Sequence, residues 1–211
     1  MEHTLSLLAL STGIISLLCL MSLHFTSPEF QPSWRMISEY ALGKFKGLIT
    51  AFFLLWGACS ILLAILLWNE VTTVWGTIGI VLLLVSAIGQ IMGGLFDLKH
   101  KLHGLAFLLG VPALPIAALL ISYNLIQLED WSQHRSIILL SAHATSISLV
   151  LMGIAIGVMM SGFKKVGLPM EQNAPVPDKV PEGVIALAGY ANRLLVLSYV
   201  LWLIVVVWVK E

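Results

Sequence analysis

Charge is what this sequence has least of. Lys, Arg, Asp and Glu make up 10% of 211 residues, hydrophobic residues make up 59%, and the formal net charge is zero. Soluble domains run nearer a quarter charged and about half apolar. A water-soluble fold is therefore excluded, and with no basic excess the balance points away from nucleic acid. Cysteine is scarce as well. Cys19 and Cys59 both fall inside apolar runs, where they read as small buried residues and not as a disulfide framework. Strand-like alternation is missing, which excludes a membrane β-barrel. No Gly-x-Ser-x-Gly elbow, His-Glu-x-x-His, phosphate loop or haem-attachment motif occurs. The start, Met-Glu-His-Thr, has no Lys or Arg, and its apolar run from Leu5 to Phe25 exceeds the about 7–15 residues of a signal-peptide core. It reads as a retained first helix.

What is there is apolar blocks long enough to cross a bilayer, at a mean hydropathy of +0.98. Six spans are expected, at Thr4 to Phe25, Lys46 to Trp68, Val74 to Phe96, Gly104 to Ile126, Ser136 to Gly162 and Val184 to Val209. The fold class is all-α, one six-helix transmembrane domain over residues 1–211. The three middle connections are short, so helices two to five should pack as successive antiparallel neighbours. Connections one, three and five carry eight basic residues (Arg35, Lys44, Lys46, Lys99, Lys101, Lys164, Lys165 and Lys179), whereas the other side has only Arg135 and Lys210. Basic residues stay on the cytoplasmic side. Both termini are thus expected outside, in a multi-pass protein of the cell membrane, most simply the bacterial cytoplasmic membrane.

The first connection mixes Trp34, Met36, Ile37, Tyr40 and Leu42 with Arg35, Ser38 and Glu39, a pattern for a short interfacial helix. The fifth, residues 163–183, holds Pro169, Pro175, Pro177 and Pro181 and reads as a cytoplasmic linker, either tether or lid. Gly89 with Gly93, extended by Ser86, and Gly153 with Gly157 are small-xxx-small pairs expected at helix contacts. Pro112 and Pro115 free the carbonyls of Leu108 and Val111, which predicts a kink in the fourth span. Long connections at both ends of the chain, without internal repetition, argue against inverted repeats.

Polar residues gather on one side. Ser38-Glu39-Tyr40, Asp97 with His100 and His103, and Tyr190, Asn192 and Arg193 all fall at the cytoplasmic ends of spans. Arg193 should lie about 10–14 Å along the last span at 1.5 Å per residue, where an arginine needs a carboxylate or a route to snorkel. Asp97 or Glu39 is its expected partner. Asp97, His100 and His103 also form an acceptable zinc or iron ligand set if the helix continues through them. The stretch crosses a turn, however, and no second carboxylate-x-x-His accompanies it, so no metal is assigned and the cofactor is left open. His143, amid Ser141, Thr145, Ser146 and Ser148, either makes interhelical hydrogen bonds or lines a pocket.

Three functions fit these residues. Ser38, Glu39, Tyr40, His100, Asn192 and Arg193 would bind a membrane lipid or amphipathic small molecule. Alternatively, His103 as proton-transfer group with Asp97 orienting it or holding metal would make a membrane-embedded enzyme. In the third reading the cluster only locks the fold. Oligomeric state is not legible.

Several segments, in order along nearly the whole chain, carry a resemblance. They are Ser38-Glu39-Tyr40-Ala41-Leu42-Gly43, the Phe52 to Leu63 run with Gly57, Gly94-Leu95-Phe96-Asp97, Leu102-His103-Gly104, and Arg193 followed by Trp202. In these the chain resembles the DUF998 family of small bacterial and archaeal membrane proteins. Where the family pattern has Asp after the serine and Pro after the phenylalanine, this chain has Glu39 and Asp97. The resemblance implies the six-span architecture and this choice of polar residues. It implies no reaction.

Overall fold

Each apolar block of the sequence becomes one helix. A computed structural model describes residues 2–169, 177 and 179–211, and no strand occurs among them. The spanning helices are α1 (Glu2–Thr26), α2 (Lys46–Leu67), α3 (Val74–Leu95), α4 (His103–Leu125), α6 (Arg135–Lys165) and α7 (Ala188–Lys210). A one-turn helix, α5 (Glu129–Ser132), lies between α4 and α6, and the short helix expected in the first connection is a 3-10 helix, Ile37–Leu42. It does not float on the surface, since Ile37, Glu39 and Tyr40 are buried. The centre of the fifth connection, including Pro175, lies outside the described residues, and with it the choice between tether and lid.

The helices close a ring. α1 packs on α2, α2 on α3, α3 on α4, α4 on α6, α6 on α7, and α7 back on α1. The antiparallel sequence of α2, α3, α4 and α6 is thus as expected. His3 pairs with Glu211, and Lys210 reaches Glu70 at 2.5 Å and Glu2 at 3.9 Å, so both termini share one end. α6 has 31 residues, about 46 Å of helix, and so outreaches the about 30 Å of bilayer hydrocarbon.

Small residues set the spacing. The buried residues of α1 are Ser6, Ala9, Gly13, Ser16, Leu20 and Leu23, steps of three and four that lay one stripe along the helix. Between α3 and α4 the backbones touch, and a Cβ on Gly89 would meet Gly110 N at 2.2 Å. Ser86 seals the same crossing by donating to the Gly110 carbonyl at 2.8 Å. Gly153 and Gly157 behave otherwise. Nothing lies within 4 Å of a Cβ at either, so the expected contact is not made among the described residues.

Polar side chains replace the hydrophobic drive that lipid cannot supply. Ser60 Oγ donates to Gln90 Oε1 at 2.8 Å, and Gln90 Nε2 to Ser86 Oγ at 3.0 Å, joining α2, α3 and α4. α4 runs through both prolines as one helix. Pro115 leaves the Val111 carbonyl without its helical donor, and the Tyr199 hydroxyl of α7 supplies one at 2.7 Å. Trp202 Nε1 bonds Ser122 Oγ at 3.0 Å. The serines near His143 mostly bond back to their own helix, apart from Ser148, which also meets Ser198 at 2.7 Å. His143 itself, exposed on α6, meets the Tyr123 hydroxyl at 3.1 Å.

The two glycine pairs therefore separate experimentally. Gly89→Ala forces α3 off α4 and should cost about 1–3 kcal/mol, the usual range for overpacking. Gly153→Ala should be neutral or slightly stabilising, because alanine favours the helix. Unfolding of the two variants in detergent checks this, and equal losses would contradict the packing described.

Candidate functional site

Arg193 shapes the end of the bundle opposite the termini. α7 begins at Ala188, where the apolar pattern suggested Val184. Residues 184–187 stay outside the helix, with Val184 and Ala186 against Trp34 and Phe163. The first amides of α7 have no partner in their own helix. Gly189 and Tyr190 donate theirs to the Ser33 carbonyl at 2.9 and 3.2 Å. Gly189 is what allows this approach, because a Cβ there would meet the Pro32 and Arg35 oxygens at 2.5 and 2.7 Å.

One turn on, Arg193 spreads its guanidinium over the same segment. Its Nη1 donates to the carbonyls of Arg35 at 2.7 Å, Gly189 at 3.0 Å and Pro32 at 3.2 Å. Its Nη2 reaches the Tyr40 hydroxyl at 3.0 Å, and its Nε reaches His24 Nε2 at 2.7 Å. His24 Nδ1 lies 2.8 Å from the Leu20 carbonyl and must donate there. Its Nε2 therefore carries the accepting lone pair, and the imidazole is neutral. Asn192 Oδ1 accepts from the Ile37 amide at 2.9 Å. The first connection is clamped onto α7 by its own backbone.

The expected arginine–carboxylate pair is not made. Glu39 binds Arg35 Nη1 at 2.7 Å and the Met36 amide at 2.8 Å, and Asp97 binds Lys46 Nζ at 2.8 Å. The late start of α7 explains it. Arg193 sits only about 8 Å from the helix start, within reach of the first connection, and its N–H donors are met by carbonyls, a phenol and an imidazole. What was expected and does hold is that the Ser38 to Leu42 segment tucks against the bundle, with Tyr40 only 1% exposed.

A cavity of about 140 Å³ opens behind this clamp. The segment Met36 to Ser38 forms its floor, and α2, α3, α4, α6 and α7 all contribute walls. Phe53, Trp56, Met152 and Leu195 make it mostly apolar, while Gln90 and Asn192 add amides. Phe107, 51% exposed, stands at the rim. For scale, an apolar cavity of about 150 Å³ takes benzene. Trp56 is 3% exposed, and its indole nitrogen is buried without a hydrogen-bond partner among the described residues.

Of the residues singled out in the sequence, Ser38, His103 and Asn192 line this cavity. Glu39, Tyr40 and Arg193 belong to the clamp beside it. Asp97 and His100 lie on the α3–α4 turn, away from the lining. His100 stacks on Phe96 at 4.4 Å between ring centroids, and His103 Nδ1 lies 2.9 Å from the Phe96 carbonyl. That carbonyl, not Asp97, orients His103. The Asp97–His100–His103 ligand set is dispersed accordingly, and among the described residues no group of three His, Cys, Asp or Glu is placed to hold a metal. Sequence reading missed Gln90 and Trp56 in the cavity and His24 under the arginine. Gln90 carried a signal, as an amide deep in an otherwise apolar span.

The profile of the DUF998 family, described as "Protein of unknown function", matches residues 10–209. The chain belongs to this family. No curated protein and no solved structure matches it. The segments that carried the resemblance to DUF998 fall at joints of the fold. Ser38 to Gly43 holds the short helix, and a Cβ on Gly57 would meet Ile91 at 2.6 Å and the Ala87 oxygen at 3.2 Å across α2 and α3. Arg193 is the clamp, and Trp202 ties α7 to α4.

Two tests follow from this geometry. Arg193→Leu should destabilise by at least one hydrogen bond to a charged group, about 1.5–3 kcal/mol. In double-mutant cycles it should couple to Tyr40→Phe by about 0.5–3 kcal/mol and add simply to Asp97→Asn. Coupling to Asp97 would contradict the clamp. Separately, hydrogen bonding to Lys46 holds the Asp97 carboxyl below its ordinary range, aided by the Lys99 amide. A depressed folded-state value means the pair contributes above the unfolded pKa and is lost as pH falls through the folded one. Lys46→Gln should therefore flatten the fall of melting temperature below about pH 4; an unchanged acid limb would argue against the pair.

Proposed function

We propose that this DUF998 membrane protein binds an amphipathic small molecule in the cavity behind the Arg193 clamp. The observation that carries the reading is the cavity itself. Its walls are mostly apolar, broken by Ser38, Gln90, His103 and Asn192, and half-exposed Phe107 stands at its rim. Pockets with that make-up suit ligands with a greasy body and a small polar part. Membrane lipids supply such molecules at high local concentration, which makes them the natural partners.

The same proposal includes an orientation. Eight basic residues on the connections at the clamp end, against Arg135 and Lys210 at the other, favour a cytoplasmic cavity mouth and both termini outside, in a bacterial cytoplasmic membrane. Reporter fusions at Glu211 and within residues 163–169 test this, and a cytoplasmic C-terminal fusion would contradict it.

His103 supports a second reading, acid–base chemistry on the bound molecule. With Nδ1 against the Phe96 carbonyl, Nε2 is left for an occupant of the cavity, and imidazole titrates near neutral pH. His103→Gln keeps size and hydrogen bonding. In a binding protein occupancy should survive it; in an enzyme the bound molecule should change identity, from product to substrate.

Native mass spectrometry of gently extracted protein tests binding directly. The expected result is a co-purified amphiphile whose occupancy drops about tenfold in Ile156→Trp, which fills the cavity from α6. Repeated recovery of ligand-free wild-type protein would leave the clamp as a purely structural device.

A further inference from the structure

We infer that the cavity selects an uncharged amphiphile whose polar group is a hydrogen-bond acceptor, such as a ketone, quinone or ester carbonyl, and rejects fatty acids and other anionic heads. This rests on the binding reading above and narrows its ligand. The first observation is where the cations go. Arg193 is spent on three carbonyls, Tyr40 and His24. Arg35 is paired with Glu39 and lies 4.2 Å over the Trp34 ring, and Lys46 is paired with Asp97. None of these lines the cavity, and among the described residues no Asp, Glu, Lys or Arg does. A carboxylate or phosphate there would be desolvated without a counter-charge, which is far costlier than burying a neutral oxygen that finds a donor.

The second observation is the balance of donors and acceptors left in the wall. Asn192 uses its oxygen on the Ile37 amide, while among the described residues its Nδ2 has only the Met152 sulfur at 3.5 Å, a weak acceptor. Gln90 uses its oxygen on Ser60 and one amide hydrogen on Ser86, leaving the second. Ser38 adds a hydroxyl. Both amide oxygens are consumed by the protein and His103 Nε2 and the Ser38 oxygen are the acceptors that remain, whereas the free amide hydrogens and the Trp56 indole N–H are donors left over among the described residues. An occupant that presents an acceptor satisfies them; a saturated hydrocarbon leaves them unmet. A ring or short chain fills the 140 Å³, and a longer tail would leave past Phe107.

Three ten-carbon probes separate the possibilities: 2-decanone, decane and decanoate at pH 8. Each is added at the same mole fraction to the full-length protein in an uncharged detergent, and unfolding is followed thermally. Ligands of the folded state raise the melting temperature in proportion to their occupancy. The ketone should bind at least tenfold more tightly than decanoate and measurably more tightly than decane. Ile156→Trp, or Val196→Phe should that variant fail to fold, should remove the ketone effect. Decanoate matching the ketone would overturn the inference, as would decane matching it. If none of the three shifts the wild type, the binding reading itself falls.

Discussion

The end of the bundle opposite the termini is built on one cation solvated by backbone. Arg193 enters α7 within a bilayer-spanning helix, where an unpaired charge is costly. The usual remedy is a carboxylate. Here the remedy is a fold of the first connection that brings the carbonyls of Pro32 and Arg35, the Tyr40 phenol and the His24 imidazole to its donors. The arginine and the connection need each other, because the same backbone would otherwise leave buried carbonyls unpaired. Gly189 completes the arrangement by letting that backbone lie directly on the helix start.

The cavity is a by-product of this arrangement. Met36 to Ser38 are held in place by Asn192 and by the Glu39 carboxylate that caps the Met36 amide. They close from below a space that α2, α3, α4, α6 and α7 leave between them. The walls are tied together by side-chain hydrogen bonds. The Ser60–Gln90–Ser86–Gly110 chain ties α2, α3 and α4, and Tyr199 ties α7 to the proline-freed carbonyl of Val111. Such ties hold a pocket open that apolar side chains alone would let collapse.

The architecture was legible because bilayer thickness imposes a block length that hydropathy reveals directly. Five of the six span starts agree with the helices to within two residues. The sixth did not, since Val184 to Leu187 are as apolar as a helix start yet lie outside the helix, with Val184 and Ala186 packed on the Trp34 and Phe163 cluster. That four-residue shift decided the fate of Arg193. Sequence reasoning sought a carboxylate because charges pair with charges; a partner made of main-chain carbonyls has no residue type and leaves no mark in the sequence. His24 was legible in principle, lying at the same end in the alternation of spans. Asp97 was placed at the same end of the bundle as Arg193 but given the wrong partner, because Lys46 begins the neighbouring helix. Gly153 and Gly157 show the converse limit: the spacing says small, and only the fold says whether anything approaches.

Hydrogen–deuterium exchange of the first connection, in protein reconstituted in lipid nanodiscs, tests the clamp most directly. Ile37, Met36, Glu39 and Gly43 all have bonded amides, so residues 33–43 should exchange slowly, like a helix end and not like a surface loop. Arg193→Gln should speed exchange there and in the first turn of α7, while α3 and α4 stay protected. Rapid exchange of residues 33–43 in the wild type, or no response to Arg193→Gln, would contradict the clamp and the cavity floor built on it.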